Sequence, residues 1–177
     1  MANDLTAFNL SEPIFVDANI FIEYLPDQAH AVSCQYFLKQ IENRTIRAVT
    51  SVSCINEALY TALIIIGTLI LKPAVKDKKK KVREEIERNG DFAKTCYTEV
   101  KIFLDYLLYL QNAGMVIMDY VLEHQPETIN LAIANSLSFN FTDATYLHIC
   151  RDQGIKHIAT ADKNVEKNPF AFEIWQP

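Results

Sequence analysis

The sequence predicts an α/β protein: a central parallel sheet of four to five strands with helices on both faces. Three observations predict it. Short apolar segments such as Ile14-Phe15-Val16 and Met115-Val116-Ile117-Met118 have strand length and are bounded by turn formers. Longer stretches with apolar residues at helical spacing separate them, and that alternation is the mark of parallel strands joined by crossover helices. Half of the 177 residues are hydrophobic and 22% are charged, which suits one domain, residues 1–177, with a sizeable core.

Residues 1–13 read as an arm ending at Pro13. Ile14–Val16 is the first strand, and Asp17 closes it. A helix starts at Asn19 and ends near Pro26. Asp27 is the expected cap of the next helix, whose apolar positions are Val32, Tyr36, Phe37 and Ile41. Arg47–Thr50 is a second strand. Ser51 or Ser53 then caps a long apolar helix carrying Ile55, Leu59, Ala62, Leu63 and Ile66, with Glu57 in its second turn.

Pro73 is expected to break that helix. Between about 72 and 100 lies a charged helical excursion, in which Lys72, Lys76, Lys78, Lys79, Lys80, Lys81 and Arg83 crowd together. The ordinary reading of such a run is a solvated helix face; the functional reading is a nucleic-acid contact. Asn89-Gly90 is a break. An amphipathic helix follows from Asp91 to Asn112, with Tyr97, Val100, Leu104, Leu107, Leu108 and Leu110 as expected buried positions. Gly114 ends it, and Met115–Met118 is the third strand. Pro126 opens a stripe of Ile129, Ala132, Ile133, Ser136 and Leu137. A helix from Thr142-Asp143 to Gln153 is closed by Gly154. Ile155–Thr160 is the fourth strand, Ala161-Asp162 lies just past it, and Phe170–Trp175 is a last short strand.

Several function classes are disfavoured. The apolar run Ala58–Leu71 is shorter than the ~18 residues of a membrane span, and no basic segment precedes an apolar one at the start, so a cytoplasmic protein with no membrane partner is expected. The cysteines 34, 54, 96 and 150 form no CxxC pair and read as small buried hydrophobes; the four histidines form no metal motif. A net charge of −5 argues against a broad basic face for nucleic acid. That objection weakens if four acids share one cation site, because 17 basic residues then stand against 18 acidic ones.

In open parallel sheets, ligands bind beyond the carboxyl ends of the strands. That rule selects Asp17, Glu57, Asp143 and Asp162 from the 22 acids. Each has an ordinary reading: Asp17 and Asp143 as helix caps, Asp162 as a turn residue. Glu57 fits solvated decoration poorly, because a strongly apolar helix segment follows it. Together, four carboxylates raise one another's pKa and call for a cation. An all-oxygen set suits Mg²⁺ or Mn²⁺ rather than zinc, and such ions serve phosphodiester hydrolysis. Asn19 is expected to orient a water or a ligand carboxylate, and Thr160 to donate to Asp162 or to a substrate phosphate.

The motifs Asp17-Ala18-Asn19, Asn56-Glu57-Ala58, Thr142-Asp143-Ala144 and Thr160-Ala161-Asp162 resemble, in order and spacing, the PIN-domain ribonucleases, as in the VapC-type toxins. The resemblance covers essentially the whole chain. It implies a PIN-like three-layer fold, with Asp17, Glu57, Asp143 and Asp162 as Mg²⁺ or Mn²⁺ ligands and Asp162 the most peripheral. It implies hydrolysis of single-stranded RNA, an antitoxin protein as partner, and a homodimer; the apolar and aromatic helix from Tyr97 to Leu110 reads as either dimer contact or core. Two features depart from the family pattern. Val165 stands where many members carry an aromatic residue, and the charged stretch is longer than in compact toxins. The competing reading is a catalytically silent PIN-like module that binds RNA or protein; retention of all four acids speaks against it. An aspartyl phosphatase would need an acid where Asn19 stands, and the acidic pair of a phospho-receiver domain is absent.

Overall fold

The computed structural model describes residues 2–72, 77–119, 125–134 and 141–177. The strands are β1 (Asn3–Asp4), β2 (Ile14–Val16), β3 (Ala48–Ser51), β4 (Val116–Met118), β5 (His157–Ala159) and β6 (Glu173–Gln176). The helices are α1 (Ala18–Ile22), α2 (Ala31–Glu42), α3 (Val52–Leu71), α4 (Lys78–Arg88), α5 (Gly90–Asn112), α6 (Gln125–Ala134) and α7 (Phe141–Asp152). All pairings are parallel, in the order β1-β6-β5-β2-β3-β4.

The sheet has six strands where four to five were expected. The addition is β1, two exposed residues inside what reads as an arm, paired with Trp175 and Gln176. Two polar residues carry no periodicity, so nothing in the sequence marks them. The central strand β2 is buried along its whole length, as a strand covered on both faces must be. The edge strand β4 is exposed or half-exposed.

Local signals explain most boundaries. Ser51 caps α3 by accepting from the Cys54 amide at 3.1 Å, and Asn89 caps α5 by accepting from the Phe92 amide at 3.1 Å. Gly114 and Gly154 take positive φ at the ends of α5 and α7. Asp27 does not cap α2: it stands at φ 62°, and the helix begins after His30, whose side chain makes no cap bond. Pro73, His124, Lys76, Ser136 and Leu137 lie outside the described residues.

Helical spacing locates the buried faces of α5 and α2 only in part. In α5 the buried residues are Phe92, Cys96, Phe103, Leu107 and Leu110, whereas Tyr97 and Leu108 are exposed. In α2, Val32 and Tyr36 are exposed while Cys34, Phe37, Leu38 and Ile41 are buried. Both helices carry apolar residues on more than one face, so periodicity alone finds only part of the buried stripe: Leu107 and Leu110 in α5, Phe37 and Ile41 in α2. The four cysteines are buried and free.

Taken as a helix rather than as an uninterrupted apolar run, α3 is long and apolar enough to cross a membrane by length and composition. Here it packs against α1, α4 and α5. The charged stretch folds as α4, and its one buried residue, Val82, sits against Gly67 of α3. A Cβ on Gly67 would meet the Val82 Cγ1 at 2.5 Å, so the missing side chain is what lets the two helices approach.

Candidate active site

β2 and β5 are neighbours in register, with Val16 opposite Ala159, so the residues after both strands emerge side by side. Asp17 and Thr160 are those residues. The Asp17 amide extends the ladder by donating to the Ala159 carbonyl at 3.0 Å, which fixes where its side chain starts.

The Asp17 carboxylate is 5% exposed and fully engaged. Oδ1 accepts from the Ala18 amide at 2.6 Å, so Asp17 caps α1. Oδ2 accepts from Asn19 Nδ2 at 2.6 Å and from the Thr160 hydroxyl at 2.7 Å. Asn19 also donates to Thr160 Oγ1 at 3.0 Å and accepts from the Ala161 amide at 2.7 Å. Thr160 Oγ1 accepts from the Asp162 amide at 3.0 Å. A hydroxyl has one proton, and here Asp17 receives it. Thr160 therefore does not donate to Asp162, as the sequence suggests; it holds Asp17 and is held by the Asp162 backbone.

The other acids stand around this centre. Asp143, third residue of α7, is buried. Glu57 is exposed on α3. Loss of water on burial pushes the Asp17 carboxyl up to about 7; the Thr160 hydrogen bond opposes the rise, and the charges of Asp143 and Glu57 add to it. Asp143 and Glu57 are thus close enough to be felt. Asp162 is engaged differently, its Oδ1 accepting from the Asn164 amide at 2.8 Å to cap the turn Lys163–Lys167.

Sequence reasoning misses Tyr146. It is fully buried, stacks on Phe15 with ring centroids 5.3 Å apart, and its hydroxyl finds no hydrogen-bond partner among the described residues. Burial, then the charges of Asp17 and Asp143, hold that hydroxyl well above its usual range, so it stays protonated. A signal for it exists: Tyr146 lies three residues after Asp143, hence on the same face of α7.

The donor chemistry around Asp17 fits a hard divalent cation: all oxygen, with one carboxyl raised by burial and, to a lesser degree, by neighbours of like charge. As the side chains lie, however, the described residues contain no group of three acidic, histidine or cysteine side chains that could hold a metal ion.

No protein-family model matches this sequence, and no curated protein matches it. Among solved structures, the chain is similar to the crystal structure of Mycobacterium tuberculosis VapC20, a sarcin–ricin loop cleaving toxin. The match covers 90% of this chain and 98% of that one, with 11% identity and a TM-score of 0.50. The fold is that of a VapC-type PIN domain. In this PIN-type fold the six-stranded parallel sheet brings Asp17 and Thr160 together at the carboxyl ends of adjacent strands.

The lock on Asp17 gives a direct expectation. Thr160→Val keeps the shape of a fully buried side chain but strands the Asn19 amide and the Asp162 N–H without their shared acceptor. Urea denaturation in EDTA is expected to show a loss of about 1–3 kcal/mol, mostly restored in Thr160→Ser. A loss below about 0.5 kcal/mol would mean that this hydroxyl is not the hub.

Proposed function

We propose that this chain is a metal-dependent endoribonuclease that hydrolyses phosphodiester bonds of single-stranded RNA, acting as the toxin of a toxin–antitoxin pair. The observation that carries the reading is the locked Asp17 carboxylate at the carboxyl ends of β2 and β5, raised first by burial and then by the charges of Asp143 and Glu57. The PIN-type fold supports it.

In this reading Asp17, Glu57 and Asp143 hold Mg²⁺ or Mn²⁺, with Asp162 as a peripheral fourth acid. The ion, when bound, supplies charge neutralisation at the phosphate and an activated water. The chain's own contribution is positional. Asn19 and Thr160 fix the rotamer of Asp17 and keep its Oδ2 supplied with hydrogen bonds, which favour the ionised form. Tyr146, stacked on Phe15, lies near enough for the Asp17 and Asp143 charges to act on its hydroxyl. A cytoplasmic location, an antitoxin protein and a homodimer accompany the reading. The exposed apolar side chains Leu69, Ile70 and Ile102, beside Phe103 and Tyr106, are surface of the kind a protein contact covers.

The test is cleavage of a panel of end-labelled RNA and DNA oligonucleotides with Mg²⁺, Mn²⁺ or EDTA. Single-stranded RNA is expected to be cut with either ion, to be spared in EDTA, and to be preferred over DNA. Cutting that persists in EDTA would remove the metal. RNA bound but never cut would leave the catalytically silent module.

A further inference from the structure

We propose that the first turn of α4, with Tyr60 of α3, is the track on which the phosphate backbone of single-stranded RNA lies as it approaches Asp17. This inference rests on the nuclease reading for the role of Asp17, but its own test needs no cleavage. Lys78, Lys79, Lys80 and Lys81 are all exposed, and Arg83 follows them. The acids of α4, Glu84, Glu85 and Glu87, all come later, so the helix is positive in its first half and negative in its second.

The lysines are little neutralised from within. Among the described residues only Lys80 has a carboxylate within 4 Å, that of Glu84 at 3.9 Å. Surface pairs of that length contribute little. The four charges also repel one another and oppose the positive end of their own helix. An arrangement that costs the isolated protein stability suits a polyanion.

The geometry ties this patch to the site. Lys79 Nζ lies 5.0 Å from the centroid of the Tyr60 ring, and Val82 sits on Gly67. The two contacts advance in the same direction along both helices, so the basic turn lies on the Glu57 side of Gly67 and the Lys79 side chain reaches back to Tyr60. Tyr60 is three residues after Glu57, so their Cβ atoms lie about 5–6 Å apart on one face. Tyr60 is 40% exposed, with the Lys79 ammonium over its ring. Acid, aromatic and lysines follow one another along a single surface. Stacking on Tyr60 with phosphates on the lysines is the combination that holds single strands without reading sequence.

The experiment measures anisotropy of a fluorescent single-stranded RNA with the full chain in EDTA, across a salt series. The variants are Lys78→Gln/Lys79→Gln/Lys80→Gln/Lys81→Gln together, and Tyr60→Ala. The slope of log affinity against log salt is expected to flatten by about 0.7 for each phosphate that a lysine no longer neutralises, hence by about 1.4 or more for the quadruple variant. Tyr60→Ala is expected to weaken binding about tenfold with the slope unchanged. Circular dichroism checks that α4 persists; single Lys→Gln variants at 79 and 80, each flattening the slope by about 0.7, replace the quadruple one if it does not. A quadruple variant with unchanged slope and affinity overturns the track, even if the protein cuts RNA. A lysine-dependent slope in a protein that never cuts RNA keeps the track and removes the nuclease.

Discussion

Asp17→Asn is expected to abolish RNA cleavage while removing a pH dependence from the stability of the metal-free protein. The two effects have one cause. Partners that merely support a metal ligand are worth 10- to 100-fold in affinity or activity, so a ligand itself should cost at least about a hundredfold. The stability effect follows from the raised carboxyl of Asp17. An acid at its ordinary value of 3.8 when unfolded and about 7 when folded binds a proton on folding throughout that interval. The folded state is therefore favoured most below pH 4, loses ground as pH rises toward 7, and is level above. The full span is of order 4 kcal/mol, since one pKa unit is about 1.36 kcal/mol. Urea denaturation in EDTA at pH 5 and pH 8 should show the parent less stable at pH 8, and Asp17→Asn with most of that difference gone. Bound Mg²⁺ or Mn²⁺ should restore stability to the parent at pH 8, because the ion replaces the proton. Cleavage unchanged in the variant would take Asp17 out of the chemistry.

Phe15→Ala is expected to be the most damaging core change, costing about 3–5 kcal/mol in urea denaturation. Phe15 is fully buried in the central strand, and its ring stacks on Tyr146. Small domains have only about 5–15 kcal/mol to lose. Phe15→Leu, which keeps most of the volume, should cost much less. The variant should lose activity in proportion to the unfolded fraction, with the remaining folded molecules cutting normally. A cost near 1 kcal/mol would mean that α7 collapses onto the sheet to fill the hole.

Much of this arrangement is legible in the residues. Three apolar residues followed by Asp17 mark a short buried strand delivering an acid to its end, and β2 is that strand. Asn19 and Thr160 stand out in the sequence as polar residues beside acids, and both contact Asp17, though with roles that spacing does not assign. A hydroxyl's partner depends on register between β2 and β5, which no local pattern encodes. The exposure of Tyr97 and Leu108 is hidden because α5 is apolar on several faces, and only its packing against α2, α3 and α4 selects one. The apolar residues after Glu57 suggest a buried acid, yet it is exposed. Only five of the twenty residues of α3 are buried, so its apolar character exceeds its burial.

The strand order has a consequence for the timing of assembly. The hydroxyl that holds Asp17 lies 143 positions further along the chain, and β3 can join β2 long before β5 exists. During synthesis the acid appears early, but its holder appears only after α7 has been made. Closing so long a loop is slow compared with local helix formation. A nascent chain that stops short of residue 160 carries the acid with neither its hydroxyl nor its neighbouring strand. The site is therefore a late product of folding, absent until the chain has been made through residue 160.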